Sequence, residues 1–136
     1  MKSTIKRYPN DVKDWWNKVL DDIKWAENDF TTGFYTQTCF ITQQIVEKAL
    51  KTFLLDRNQI VQKIHKLPVL LDRCIKIDSG FKKFITHIKD LDQYYISTRY
   101  PPSFGGAKGD YTKEEAKNAL NLTKEIVAFV EKKIRT

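Results

Sequence analysis

Apolar side chains recur at every third or fourth position along most of this chain, and that spacing is typical of amphipathic helices. The first such stretch begins near Asn10 or Asp11, either of which can cap a helix, and stops at Thr31-Thr32-Gly33. No segment alternates apolar and polar residues for long enough to predict a strand. The apolar stripe of this first predicted helix, expected to face inward, is Val12, Trp16, Val19, Ile23, Ala26 and Phe30.

The second helix is expected from Phe34 to Asp56, with a stripe wide enough to contact neighbours on two sides. Its apolar positions are Phe34, Thr38, Ile41, Ile45, Val46, Ala49, Leu50 and Phe53. The polar residues from Asp56 to Lys66 predict a loop. A short third helix follows, with Pro68 in its first turn. We expect it to bury Leu67, Leu70, Leu71 and Cys74.

A fourth helix is predicted from Ser79 to just before Arg99, where Pro101-Pro102 disfavours helix. Its expected inward side chains are Phe81, Phe84, Ile85, Ile88, Leu91 and Tyr95. The last helix is expected to begin at Thr112, because Thr112 and Glu115 have the spacing of a capping box. Its inward set is Ala116, Ala119, Leu120, Thr123, Val127, Val130 and Ile134.

These segments predict an all-α fold, an up-and-down antiparallel bundle of four long helices plus one short helix. The chain of 136 residues is expected to form a single domain, with its core in residues 11–134 and an irregular segment in 1–10. The one long irregular segment after that is 101–111, which holds three of the five glycines and two of the four prolines. Long loops on a helical scaffold often carry function.

Composition narrows the classes of function. No stretch approaches the ~18 consecutive apolar residues of a membrane span, and the first ten residues lack the apolar region of a secretory signal. Cys39 and Cys74 are spaced for neither zinc nor a redox pair, so we expect buried thiols in a cytoplasmic protein and no metal or cofactor. The net charge of +7 suggests an anionic partner, although a solvated lysine surface is the commoner reason.

Gln43, Gln44, Glu47, Lys48 and Lys51 form the first candidate binding set, on the predicted second helix. All except Gln43 are spaced by three or four residues and share one face, which can bind a ligand or a partner. The alternative is a solvated face with an ordinary ion pair, and the spacing favours that alternative.

The second candidate set is Tyr94-Tyr-Ile-Ser-Thr-Arg-Tyr-Pro101. Arg99 offers a bidentate fork to phosphate, and Tyr95 or Tyr100 can stack on a base. In the alternative, Tyr95 packs inward and Arg99 caps helix carbonyls. His65 and His87 are candidates for acid–base chemistry, although a lone histidine is more often structural. Of the adjacent Trp15 and Trp16, at most one can face the core.

Four short motifs, taken in order, give the chain a family resemblance over about residues 11–134. They are Trp16 with Ala26 and Asp29, the run Cys39–Lys51 containing QQIVEKALK, His65-Lys-Leu67 with Leu70 and Leu71, and YYISTRYP at 94–101. Together they resemble the HEPN family, the "higher eukaryotes and prokaryotes nucleotide-binding" domain. The resemblance implies a helical bundle, commonly a homodimer, often encoded beside a minimal nucleotidyltransferase in a toxin–antitoxin or related pair.

Many members of that family are metal-independent ribonucleases with an R-x4–6-H motif, in which Arg steadies the phosphate and His transfers protons. Here the window after Arg99 holds Phe104, Gly105 and Gly106, and no histidine follows His87. We therefore expect a non-catalytic domain that binds a nucleotide, RNA or a nucleotidyltransferase partner. The alternatives are a ribonuclease toxin that uses Arg99 with His65 or His87, and a structural module that only docks a protein.

Overall fold

A computed structural model describes residues 11–61, 63–97, 101, 103, 106 and 109–134, with the backbone alone at 96 and 97. In order, its elements are α1 (Asp11–Thr31), α2 (Tyr35–Asp56), α3 (Leu67–Ile77), a 3-10 helix (Ser79–Phe84), α4 (Ile88–Asp92), α5 (Tyr94–Ser97) and α6 (Lys113–Lys133). The described residues contain no strand, and the predicted all-α bundle is confirmed. Among these residues, no helix is both long and apolar enough to cross a membrane.

Side-chain pairs give the direction of each helix. Near the turn at Gly33, which has φ of 89°, Phe30 contacts Tyr35, so α1 and α2 are antiparallel. Thr36 at the start of α2 accepts the backbone N–H of Tyr111, and Arg57 at its end donates to the carbonyl of Lys133. The helices α2 and α6 therefore run the same way, with α1 antiparallel to both.

The connection 57–66 returns the chain to the middle of α2. The backbone carbonyl of His65 accepts from Gln43, and the thiol of Cys74 in α3 faces the carbonyl of Leu50 at 3.8 Å. As a result, α3 runs beside the second half of α2 in the same direction. This return places the start of α3, and the loop before it, against the polar residues of α2.

Helix boundaries predicted from capping and proline are confirmed. The helix α3 carries Pro68 in its first turn and buries its four predicted residues. Thr112 caps α6 with a reciprocal capping box to Glu115. Phe34 was wrongly predicted as part of the α2 stripe: it precedes the helix and is 54% exposed.

The predicted fourth long helix is divided into the 3-10 helix, α4 and α5. Asp78 accepts the N–H of Gly80, and an added Cβ on Gly80 would meet the Phe129 ring at 2.9 Å, so the chain is tightly packed there. In a 3-10 helix, residues three apart lie on one side, which turns Phe81 and Phe84 inward together. The predicted inward position of Ile85 is therefore wrong, and this residue is 51% exposed.

Candidate functional site

The polar residues of α2 are largely buried rather than solvated. Gln43 has no exposed surface, and Glu47 and Lys51 are 8% and 7% exposed. Burial of this much polarity is costly unless every group finds a partner. The network around these side chains is therefore a built feature of the fold, and the simple solvated-face alternative does not describe it.

Glu47 is the centre of the network. Its Oε2 lies 3.0 Å from Lys51 Nζ and 3.1 Å from His65 Nδ1, and its Oε1 accepts from Gln43 Nε2 at 3.4 Å. Gln44 in turn donates to the side-chain oxygen of Gln43. One carboxylate thus connects α2 to the loop before α3, and it fixes the orientation of the His65 ring through its Nδ1.

His65 is presented to solvent by the loop that Glu47 anchors. Its side chain is 50% exposed, and its ring stacks on Tyr95 with 5.6 Å between centroids and 23° between planes. Within the described residues, Nε2 of His65 forms no hydrogen bond. Lys63, two positions earlier, has a positive φ of 62°, an uncommon conformation for a side chain other than glycine. In the described residues, the Nδ1 atom of His65 thus contacts Glu47, whereas its Nε2 atom is available to a ligand.

A cleft of about 640 Å³ lies beside this ring. Lys63, Lys66, His65 and Tyr95 line it, together with Asp92, so cations outnumber carboxylates. Neither lysine has a carboxylate partner among the described residues. The remaining wall is Ile64, Val69 and Gln93. We call this the His65 cleft; its size is that of ordinary small-ligand sites.

Asp92, which lines the His65 cleft, connects α4 to the start of α3. Its Oδ1 accepts the backbone N–H of Leu67 at 2.8 Å, which satisfies a donor at the start of α3 that has no partner within the helix. A carboxylate at this end also interacts favourably with the helix dipole. This contact links the end of α4, which directly precedes the α5 helix of Tyr95, to the start of α3, which directly follows the loop of His65.

Lys48 and Lys51 also line a smaller groove of about 310 Å³, with Trp15, Lys18 and Asp14. Lys48 Nζ is 2.6 Å from Asp22 Oδ2, and Lys18 reaches the other oxygen at 3.3 Å. Because the side chain of Asp22 is only 5% exposed, this is a partly buried ion pair between α1 and α2. The lysines of this groove are therefore largely compensated by carboxylates, unlike those of the His65 cleft.

Among the remaining candidate residues, His87 lies outside the His65 cleft. Its Nδ1 lies 3.7 Å from Asp90, with both side chains exposed. Arg99 and Tyr100 lie outside the described residues. The described residues contain no group of three or more His, Cys, Asp or Glu side chains that could hold a metal ion.

The structure buries Tyr94 rather than the adjacent Tyr95, which was predicted to face inward. Tyr94 packs edge-on against Tyr111 at 4.8 Å, while Tyr95 is only partly buried. The prediction that Tyr95 packs inward, made from an uninterrupted helix, is wrong because the helix is interrupted at Gln93, between α4 and α5, which turns Tyr94 inward after Ile88 and Leu91. Burial raises the pKa of the Cys39 thiol to about 11, an effect that its hydrogen bond with Tyr94 opposes.

Residues that sequence reasoning missed are Asp22, Asp92 and the two cleft lysines, Lys63 and Lys66. Of the two adjacent tryptophans, Trp15 is the exposed one and Trp16 is buried. Asp22 carried a signal: it follows Val19 by three positions and therefore lies close to the apolar stripe of α1. An acidic residue there needs a cation on the facing helix. Asp92 carried none, because its partner is a backbone N–H.

Comparison with known proteins identifies the family of the chain. The family model of the HEPN domain matches residues 12–133, and the chain belongs to the HEPN family. It is 30% identical to a Methanocaldococcus jannaschii protein named "Putative toxin MJ1304", over 85% of this chain and 86% of that one.

Two solved structures are similar. TT1696 from Thermus thermophilus is 34% identical, with a TM-score of 0.82 over 92% of this chain and 99% of that one. ST0689, described as an archaeal HEPN homologue, is 24% identical, with a TM-score of 0.71 over 96% of this chain and 100% of that one. At that identity, ST0689 supports the fold alone.

Proposed function

We propose that this chain binds a nucleotide or single-stranded RNA in the His65 cleft without cleaving it. The observation that carries the proposal is the His65 ring, held by Glu47 at 3.1 Å and stacked on Tyr95 beside Lys63 and Lys66. Lysines without carboxylate partners attract phosphate, and a stacked aromatic pair offers an edge or face to a base. Arg99 and Tyr100, four and five positions after Tyr95 in sequence, are proposed to add phosphate and base contacts.

Binding of ATP, GTP and an oligouridine RNA to the full chain tests this proposal. We expect His65→Gln and Arg99→Ala each to weaken binding about tenfold, and the affinity for RNA to fall steeply with salt. His87→Gln is the matched control, because His87 does not line the cleft. Equal affinities for wild type, His65→Gln and Arg99→Ala, or an affinity insensitive to salt, would remove the cleft from the function.

The second candidate function is a metal-independent ribonuclease, and the observation that motivates it is the contact between Glu47 and His65 Nδ1 at 3.1 Å. A carboxylate at one ring nitrogen with the other nitrogen open is the arrangement of an oriented general acid–base. It favours His65 over His87, whose partner Asp90 is exposed and 3.7 Å away. Cleavage of RNA in EDTA that falls about 100-fold or more in His65→Gln and persists in His87→Gln would establish this function in place of simple binding.

The similarity to a protein named "Putative toxin MJ1304" supports a role in a toxin–antitoxin-like pair, with a nucleotidyltransferase as the proposed partner chain. Co-expression with the product of the adjacent gene, followed by co-purification, tests the pairing. A homodimer in the cytoplasm is part of the same proposal, and light scattering on the purified chain measures its mass. A complex that forms without any nucleotide or RNA binding would instead favour the purely structural docking module.

A further inference from the structure

A second groove, of about 480 Å³, lies between the 3-10 helix and the second half of α6. It shares no residue with the His65 cleft. Its apolar floor is formed by Phe84, Leu122, Ala128 and Phe129, and Lys83 and Lys132 also line it. We call it the Phe129 groove.

The two lysines of the Phe129 groove have no anionic partner. Among the described residues neither forms an ion pair, whereas the adjacent Lys133 pairs with Asp78 at 3.0 Å. The ammonium of Lys83 lies 4.2 Å from the centroid of the Phe129 ring, which favours a cation at that position. Because Lys83 and Lys132 have no anionic partner in the described residues and lie beside one apolar floor, this groove favours a ligand that is both acidic and apolar.

The aromatic floor does not suit nucleobases. Phe84 is only 4% exposed, and Phe129 is covered by Lys83 and by the rings of Phe81 and Phe84, 4.8 and 5.5 Å away. Base stacking needs an open ring face, which these contacts remove. Glu125 also lines the groove and repels any anion placed beside it. A continuous phosphate chain cannot avoid that repulsion, whereas a segment with separate carboxylates placed only at Lys83 and Lys132 can.

We propose that the Phe129 groove docks an acidic amphipathic segment of a partner protein. An apolar side chain of the segment contacts the accessible part of the floor at Leu122 and Ala128, and flanking carboxylates pair with Lys83 and Lys132. Such complementarity sets specificity and the rate of association more than raw affinity. The docking surface is separate from the His65 cleft, so partner and nucleotide can bind together.

The test uses ¹⁵N-labelled full chain and a synthetic helical peptide with a leucine face flanked by glutamates. We expect amide shifts concentrated on Phe84, Ala128, Phe129 and Lys132. The same peptide with glutamine in place of glutamate, and an oligouridine RNA, are the two comparison probes. Equal shifts from the glutamine peptide, RNA shifts that centre on this groove in place of peptide shifts, or peptide shifts elsewhere would each overturn the proposal.

A charge-reversed variant, Lys83→Glu with Lys132→Glu, is expected to weaken binding of the glutamate peptide about tenfold or more. Its matched control is Lys24→Glu with Lys117→Glu, which changes net charge equally at exposed lysines outside the groove. If both double variants lose affinity equally, the attraction is a property of the overall charge and the groove has no role. The amide map of the wild-type chain decides the matter even if a variant misfolds.

Discussion

Replacing Glu47 with glutamine removes the charge from a buried side chain that contacts Gln43, Lys51 and His65. The substitution keeps the shape and one acceptor oxygen but weakens the contacts to Lys51 at 3.0 Å and His65 at 3.1 Å. The side chains of Glu47 and Lys51 are only 11% and 9% exposed, so water cannot replace the lost charge. A hydrogen bond to a charged group contributes about 1.5–3 kcal/mol, and we expect Glu47→Gln to lower the free energy of unfolding by about 2–3 kcal/mol.

Thermal unfolding followed by circular dichroism measures this loss. With about 2.1 cal/mol/K of unfolding entropy per residue, a chain of 136 residues shifts its midpoint by about 3–4 °C per kcal/mol. The expected decrease for Glu47→Gln is therefore about 6–12 °C. Glu27→Gln is the matched control, because Glu27 pairs with Lys124 at 2.8 Å but both side chains are about half exposed. That exposed pair is expected to contribute less than about 1 kcal/mol.

A double-mutant cycle with Lys51→Met isolates the buried pair. Once Glu47 is neutral, Lys51 is a buried cation without its partner, so removing it as well should recover part of the loss. We expect the double variant to be less destabilised than the sum of the single variants, by about 1–2 kcal/mol. Additive losses, or a decrease for Glu47→Gln no larger than for Glu27→Gln, would refute the interpretation of Glu47 as a buried centre of charge.

Three further outcomes are expected. Thr112→Ala removes the acceptor at the start of α6 and should cost about 1 kcal/mol in chemical denaturation, whereas Thr112→Ser should be near neutral, and equal losses would contradict the capping role. Hydrogen bonds from the backbone and from Lys133 lower the pKa of Asp78, so its stabilisation is present above about pH 4 and is lost as pH falls through the lowered value. Asp78→Asn should therefore be less stable than wild type at pH 7 and converge with it in acid, and a difference independent of pH would contradict this. Because burial raises the pKa of both Cys39 and Cys74, neither should react with iodoacetamide at about pH 8 until denaturant is added, as mass spectrometry would show.

Local rules predicted most of the fold because they concern neighbours in sequence. The capping box at Thr112 and the proline of α3 depend on residues a few positions apart, and both helices begin where these signals place them. Ile85 and Tyr95 were misplaced by the same kind of rule, because the predicted helix is interrupted after the 3-10 helix and again at Gln93. The close packing of Gly80 against Phe129 is a contact between distant segments, and periodicity alone carries no information about it.

Sequence reasoning named some members of the candidate site, His65, Tyr95 and Glu47 among them, but it missed Lys63, Lys66 and Asp92 and gave none of the arrangement. Helical spacing placed Gln44, Glu47, Lys48 and Lys51 on one face, yet it could not show that this face is covered by the returning loop. The partner that distinguishes Glu47 is His65, 18 residues away along the chain. That contact exists because α3 runs parallel to the end of α2, a property of the topology rather than of any local motif.

The way in which Glu47 holds His65 supports the proposed binding function more than the ribonuclease alternative. The same carboxylate oxygen that contacts its Nδ1 also lies 3.0 Å from Lys51, so the charge of Glu47 is already compensated within α2. Glu47 and Lys51 together present a neutral pair that orients the ring, whereas the uncompensated charge of the site lies on Lys63 and Lys66. Under the proposed function, Lys63 and Lys66, which have no carboxylate partner in the part of the chain that the structure describes, attract phosphate, and the stacked His65–Tyr95 pair contacts a base. The absence of a histidine in the window after Arg99 is then consistent with a domain that keeps a nucleotide-sized cleft for recognition.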